Sequence, residues 1–368
     1  MTTIAATPLT VVAELTHRCP LHCVYCSNPL QLTKQDVELP TSTWARVFAE
    51  AAAAGIVQAD LTGGEPLVRT DIVELVKAAR DAGLYVSLVT SGIPLTEEKL
   101  TALVAAGLDH LQLSFQGGTE ETAQSISGTS SHRKKIFVLQ WLKRHRIGVT
   151  LNFVIHRQNI HELEEMLALV EVHQPGYAEF ASTQYYGWGL INRQALLPSR
   201  EQLERCRETL KAAEARLRGK TRIVFVVPDY YAKYPKPCMG GWGRKLMVVT
   251  PEGWALPCHA AQVIPGLRFE NVKEKSIPEI WGYSSAFLRF RGQEWMQEPC
   301  RSCDRRHQDF AGCRCQAFLL TGDAAATDPV CSLAPERNIV DTVLSCGDLR
   351  PLVPSEGNNN YVYRSNPD

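Results

Sequence analysis

The sequence predicts an α/β fold: a partial (β/α)6 TIM-like barrel followed by a cysteine-rich C-terminal domain. Six short β-rich runs alternate with amphipathic helical patterns between residues 10 and 230, that rhythm stops near residue 235, and eight of the twelve cysteines follow residue 237. Repeated βα units imply a parallel sheet with right-handed crossovers. Six units are too few for the usual eight-stranded closure, so the expectation is an open barrel whose sites lie at strand C-termini.

In order, the runs are LTVVAEL (9–15), VQADLTG (57–63), LYVSLVT (84–90), HLQLSF (110–115), GVTLNFVI (148–155) and YAEFAS (177–182). Each is rich in β-branched or aromatic residues bounded by turn formers. Between the second and third, Ile72, Leu75, Val76 and Ala79 recur at helical spacing; Leu163, Met166, Leu167 and Val170 do so behind Asn159 and Glu162, which resemble a capping box. Beyond residue 235, Pro, Gly and Cys punctuate short strands such as RKLMVVT and one helix, IPEIWGYSSAFLRF. A core that thin needs staples, and metal is the available one. The chain therefore divides into residues 1–230, residues 231–345, and a polar, turn-rich tail, 346–368, expected to be disordered.

A length of 368 residues suits about two domains. Lys+Arg and Asp+Glu each number 39, so no overall charge argues for nucleic acid or an anionic membrane. Without a basic-then-apolar leader or a run of about 18 apolar residues, a cytoplasmic protein is expected. In that reducing setting clustered thiols are more often metal ligands or catalysts than disulfides.

The stretch ELTHRCPLHCVYCSNPL (14–30) places Cys19, Cys23 and Cys26 as C-x3-C-x2-C where the first strand ends. Structural zinc takes four ligands, whereas iron–sulfur clusters sit on closely spaced thiolates. Three thiolates on a four-iron cube leave one iron open to an amine and a carboxylate; a zinc loop with a distant fourth ligand is the alternative. The second strand ends in TGGEP (62–66), where Gly63 and Gly64 let a ligand approach bare backbone and Glu65 offers a carboxylate to an ammonium. TSG (90–92) and LSFQG (113–117) bring small polar residues to the same mouth.

The cysteine array, with Tyr25 before its last thiol, and the GGEP of the next strand end resemble the radical S-adenosylmethionine (SAM) superfamily. That resemblance implies a 4Fe-4S cluster on Cys19, Cys23 and Cys26 whose open iron binds SAM, and a one-electron C–S cleavage giving a 5′-deoxyadenosyl radical. It also implies SAM contacts from Tyr25, from Gly63, Gly64 and Glu65 at the amino group, from Ser91 and Ser114 at ribose and carboxylate, and from Asn152 and Val154 at adenine.

The C-terminal spacing is Cys238-x14-Gly253-x4-Cys258, then Cys300-x2-Cys303-x5-Asp309-x3-Cys313-x1-Cys315-x15-Cys331. Seven thiols and one carboxylate make two four-ligand sites, which iron–sulfur clusters or zinc would satisfy equally. The pattern resembles the SPASM extension of radical SAM enzymes that modify ribosomal peptides, which carries two auxiliary clusters, 4Fe-4S or 2Fe-2S. By that resemblance Cys238, Cys258 and Cys313, with Cys315, hold the first, and Cys300, Cys303 and Cys331 the second. Asp309 stands where a cysteine is expected, a harder donor that would shift the cluster's potential.

RCPLHCVYCSNPL, LTGGEPLVR, CMGGWGR, LPCHAA and GCRCQAFLLTGDAAATDPVC extend the likeness from Leu9 to Cys331, and together resemble the peptide-cyclase family of pyrroloquinoline quinone biosynthesis. The implied substrate is the precursor peptide PqqA, in which a glutamate γ-carbon loses hydrogen and joins a tyrosine ring, loss of one more electron and a proton restoring aromaticity. Implied partners are the peptide chaperone PqqD and an electron donor such as flavodoxin. Sulfatase maturation or thioether formation would use the same architecture, and a non-catalytic zinc-stapled scaffold is the reading from another class. Elsewhere, Cys206 shares an apolar stripe with Leu203 and Leu210, Cys346 is a bystander, and the basic run of 132–146 is a solvated helix face. His259 is expected to make a hydrogen bond behind Cys258, and YYGWG (185–189) to pack at the domain junction.

Overall fold

The protein is described by a computed structural model covering residues 7–348 and 361–367. Among these residues nine strands form one sheet: Thr10–Glu14 (β1), Gln58–Thr62 (β2), Tyr85–Thr90 (β3), His110–Phe115 (β4), Gly148–Ile155 (β5), Tyr177–Ser182 (β6), Arg222–Val226 (β7), Leu246–Val249 (β8) and Ala255–Leu256 (β9). Their order is β7-β6-β5-β4-β3-β2-β1-β8-β9, parallel except for the β8–β9 pair. The six expected strands are present, and β7 and β8 extend the parallel set. The sheet is open, with β7 and β9 at its edges.

Helices Thr41–Ala53 (α1), Ile72–Asp81 (α2), Glu97–Ala105 (α3), Glu120–Ser127 (α4), His132–His145 (α5) and Leu163–His173 (α6) bury one apolar stripe each. They meet the apolar rows of the strands, Leu61, Leu88, Leu113, Phe115, Phe153 and Phe180 among them, in one core. Trp44, Val47 and Phe48 are fully buried there, worth about 1.5–3 kcal/mol apiece. Strand side chains alternate between faces. The residues between those apolar positions, such as Gln112, Ser114, Asn152 and Glu179, therefore point to the opposite face and line a cavity. Cys206 lies in the core with Leu203 and Leu210, as its stripe predicts.

Three local expectations change. Asn159 does not cap α6; its side chain accepts from the His156 amide (2.9 Å) and donates to the carbonyls of Gln116 (3.1 Å) and Val154 (2.8 Å), tying the ends of β4 and β5 together. Lys135, in the run read as solvated, is fully buried, its Nζ donating to the Ser114 carbonyl (2.7 Å) and to Gln116 Oε1. IPEIWGYSSAFLRF breaks into two helices, Ile277–Tyr283 and Ser285–Leu288, and Trp281 and Phe287 join the barrel core. The side chain of Cys346 lies outside what the structure describes.

The C-terminal region is not a separate layer. β8 pairs with β1 from Thr10↔Leu246 to Ala13↔Val249, so the sheet runs on past residue 230. A second apolar cluster joins Val12 of β1 to Trp242, Leu246, Val248, Leu256 and Phe290. Of the tail expected to be disordered, residues 349–360 and 368 lie outside the described residues, whereas 361–367 are placed against the barrel. Among the described residues no helix is long and apolar enough to cross a membrane.

Glu162 shows how the loops above the sheet are held. Its carboxylate accepts from the Gly118 amide (2.8 Å), Thr119 Oγ1 (2.7 Å) and Thr122 Oγ1 (2.5 Å), fastening the start of α4 to α6. Burial opposes its ionisation, but these bonds outweigh it and hold the carboxyl below its ordinary pKa. Glu162→Gln is expected to cost about 2 kcal/mol, read as a melting temperature lower by about 2–3 °C for a chain of this length. Because the folded pKa is depressed, the wild-type advantage exists above about pH 4.3 and is lost as pH falls through the folded value. Thermal scans down that range should see the two proteins converge.

Candidate active site

At the C-terminal ends of the strands lies a cavity of about 430 Å³. Cys19, Cys23 and Cys26 border it, together with Tyr25, Gly63, Gly64, Ser91, Ser114, Asn152 and Val154. Ser114 and Asn152 are direct register partners on β4 and β5. Of the SAM-site residues expected from sequence, Glu65 alone stays out of the lining.

Glu65 is fully buried, and its oxygens are occupied by Leu67 N (3.1 Å), Thr90 Oγ1 (2.6 Å), Ser91 N (2.7 Å) and the Ser91 hydroxyl. The carboxylate expected to meet an ammonium instead binds the end of β2 to the end of β3. The motif reaches the cavity through the backbone of Gly63 and Gly64. That backbone is laced to the cysteine loop, Gly64 N donating to Thr16 O (2.6 Å) and Glu65 N to Arg18 O (2.8 Å). At Gly63, with φ +137°, an added Cβ would lie 2.2 Å from Thr16 O, and at Gly64 it would lie 2.4 Å from Arg18 O. Only glycine allows the two segments to approach so closely.

Burial pushes the Cys23 thiol up to about 12 and raises Cys19 and Cys26 as well. The free thiols are therefore protonated at neutral pH, and a metal centre would displace those protons on binding. Among the described residues no three Cys, His, Asp or Glu side chains close round a single ion. The three thiols border a space wide enough for a group of several atoms.

Glu14, Gln116 and Lys135 escaped the motif reading. Glu14, at the end of β1, accepts from His259 (Nδ1 to Oε1, 2.9 Å) and lies 3.7 Å from His17. Burial alone would raise its pKa, but the two imidazoles, His259 through its hydrogen bond and His17 through its proximity, bring it down to about 2. His259 is half-exposed to the cavity, and although burial disfavours its charge, Glu14 raises its pKa overall. Tyr25 OH accepts from Gln116 Nε2 (3.1 Å). Burial lowers Lys135 to about 8 against the opposing charge of Glu65. No short-range pattern marks these residues, because their partners come from other strands.

The C-terminal cysteines form two groups. Cys238, Cys258, Cys313 and Cys315 interact with one another, Cys258 Sγ lying 3.9 Å from Cys315 Sγ. Hydrogen bonds from the Cys238 and Cys315 thiols hold Cys258 and Cys313 well below the usual thiol value. Tyr186, in the YYGWG stretch expected to serve packing, sets its hydroxyl 3.0 Å from Cys313 Sγ. The second group, Cys300, Cys303, Asp309 and Cys331, lines one pocket. Asp309 is buried, accepting from Ala311 N (3.1 Å) and from Arg305 Nε (3.3 Å). Asp328 supports both groups: it accepts from Cys313 N (2.8 Å) and Val330 N (3.1 Å), so the loop carrying Cys331 is tied to Cys313.

Comparison with known proteins agrees with this geometry. Residues 13–170 match the radical SAM superfamily and residues 238–304 an iron-sulfur cluster-binding domain, SPASM. The chain is 52% identical over 341 residues, 92% of its length and 94% of the relative's, to PqqA peptide cyclase of Gluconobacter oxydans. It is 52% identical over 359 residues, 97% and 93% of the two chains, to that of Methylobacterium nodulans. Streptococcus suis SuiB bound to S-adenosylmethionine shares the fold at a TM-score of 0.75 and 17% identity, over 89% of this chain and 78% of that one. A second solved structure, native anSMEcpe with bound AdoMet, gives 0.62 and 14% over 93% and 97%. This chain is a radical SAM enzyme with a SPASM domain, and it belongs to the PqqA peptide cyclase family.

Proposed function

We propose that the chain joins a glutamate and a tyrosine side chain of a PqqA-type precursor peptide through a new C–C bond, an early step in pyrroloquinoline quinone synthesis. The supporting observation is a single cavity bordered by three thiols, bare glycine backbone and a row of polar strand residues, in a chain half identical to PqqA peptide cyclases along almost its whole length. Cys19, Cys23 and Cys26 would hold a 4Fe-4S cluster. When bound, that cluster would supply the single electron that cleaves SAM. The backbone of Gly63 and Gly64 would take the ammonium of SAM, Ser91 and Ser114 its ribose and carboxylate, and Asn152 and Val154 its adenine. Tyr25, fixed by Gln116, would wall that position, and the buried floor would keep water from a radical.

Cys238, Cys258, Cys313 and Cys315 would hold one auxiliary cluster, and Cys300, Cys303, Asp309 and Cys331 the other. The oxidation that restores the tyrosine ring needs an electron acceptor close by, which a protein-held cluster can be. PqqD would present the peptide, and a flavodoxin-type donor would deliver the first electron.

The test is anaerobic reconstitution of the full chain, then addition of reductant, SAM, precursor peptide and chaperone. Expected products are 5′-deoxyadenosine and a peptide lighter by two hydrogens, with fragmentation blocked between Glu and Tyr. Deoxyadenosine beside an unchanged peptide would remove the proposed substrate. For the carboxylate ligand, Asp309→Ala is expected to weaken iron retention by at least about 10–100-fold, the loss seen even for residues that only support a ligand. Asp309→Cys should restore iron content with an altered electron paramagnetic resonance (EPR) spectrum. Unaltered iron and spectra in Asp309→Ala would leave the ion pair with Arg305 as that carboxylate's role.

A further inference from the structure

The segment 361–367 lies directly on the cysteine loop. Asn366 makes a reciprocal pair with Cys19, accepting from its amide (3.1 Å) and donating to its carbonyl (2.8 Å). Arg364 N donates to His22 O (3.2 Å), and His22 Nδ1 lies 2.7 Å from Arg364 O. Asn192 bridges the two segments, donating to both Val24 O (2.7 Å) and Val362 O (2.8 Å). Tyr363 OH donates to Ser125 O (2.7 Å), and Tyr361 and Tyr363 pack against Val24, Ile126 and Leu196. Backbone groups of a loop must find partners somewhere. Between His17 and Val24 many of this loop's partners come from residues more than 330 positions away in the chain or from Asn192, which binds both.

Arg364 is the part of this segment that faces the cavity, and it is only 2% exposed. Nη1 donates to Asn366 Oδ1 (2.7 Å) and Nη2 to the His17 carbonyl, while Nε is buried without a hydrogen-bond partner. Among the described residues no carboxylate lies within ion-pair distance of it. An arginine stays charged, and a buried charge without a counter-ion is costly. The side chain borders the same cavity as the thiols of Cys19, Cys23 and Cys26.

We propose that residues 361–367 form a latch that shapes the cysteine loop for its cluster, and that Arg364 is a positioning residue whose cation, set beside the three sulfurs, makes that cluster easier to reduce. The inference rests on the functional reading above, since it needs a cluster on those thiols. A fixed positive charge stabilises the electron added on reduction, and it acts strongly where water is excluded. The latch also ties the chain's last described residues to the first site in the sequence.

The test uses the reconstituted full-chain holoenzyme with EPR-monitored redox titration, the N-terminal cluster being the one whose signal changes when SAM is added. Arg364→Gln is expected to reduce the reduced-to-oxidised ratio of that cluster about tenfold at a fixed potential, a shift of ~59 mV for one electron. Arg364→Lys should recover most of it, and the auxiliary signals should not move. In cluster-free protein, Asn366→Ala should speed amide exchange of residues 17–24 by about tenfold or more relative to wild type, a readout that needs no cluster. A wild-type ratio in Arg364→Gln, or a Lys variant no better than Gln, overturns the role of the cation. Unchanged exchange in Asn366→Ala overturns the latch. A wild-type chain that assembles no cluster on Cys19, Cys23 and Cys26 sinks the functional reading itself, and the role given to Arg364 with it, whatever the exchange data show.

Discussion

Cys26→Ser is expected to give a folded protein that no longer cleaves SAM, with 5′-deoxyadenosine falling by a factor on the order of 10³ or more, since the electron source never assembles. A serine oxygen is a harder donor than sulfur and poorly suited to a soft iron–sulfur site. Among the described residues the cavity wall holds three thiols, Cys19, Cys23 and Cys26, the other cysteines near the C-terminus form their own two groups, and no further thiol borders this end to take the place of Cys26. The fold should persist, because the thiols sit above the sheet and the apolar core is built without them. Iron and sulfide should drop by the share of one cluster, while auxiliary absorbance and far-ultraviolet circular dichroism remain. Deoxyadenosine at the wild-type rate in Cys26→Ser would refute the assignment of this array to SAM cleavage.

Gly64→Ala should be nearly as damaging through a purely steric route. The new methyl would stand 2.4 Å from Arg18 O and 2.6 Å from His17 O, and both neighbours are backbone. A flexible side chain could swing away; these carbonyls cannot move without carrying Cys19 with them. The expected cost is about 2–4 kcal/mol of stability, together with SAM affinity weakened by at least about tenfold, or 1.4 kcal/mol. Gly282→Ala supplies the control: it lies in the Ile277–Tyr283 helix with nothing within 4 Å of the added carbon. There alanine should be neutral or stabilising by about 0.4–1 kcal/mol. Calorimetry and SAM titration of the two variants would separate crowding at the strand end from a general intolerance of alanine.

How far the sequence could be read depended on whether the relevant physics was local. The strands from β1 to β6 were legible because their β-branched runs are bounded by turn formers, and the period-2 pattern of HLQLSF separates Leu111 and Leu113 from Gln112 and Ser114. β7 was missed: RIVFV is short, follows a long polar helix, and sits half-buried at the sheet edge. The ligand candidates were visible because thiol spacing is itself a short-range signal. The burial of the Glu65 carboxylate was not legible for the opposite reason, since Thr90 and Ser91, which donate to it beside Leu67 N, arrive from the next strand. Lys135 was read as solvated from a run of basic residues, and only its height over β4 reveals that it is buried. The segment 361–367 reads as polar and unstructured, with no periodicity of its own. Everything that orders it is remote in sequence.

The pairing of β8 with β1 bears on how the chain is made. β1 is synthesised long before residue 246 supplies its second neighbour, and until then one of its edges stays bare and Val12 lacks Trp242 and Leu246 beside it. Exposed strand edges recruit other chains, and contacts this distant form slowly. Nascent chains stalled short of that point are thus the species most in need of a chaperone, and the two halves are poor candidates for separate expression.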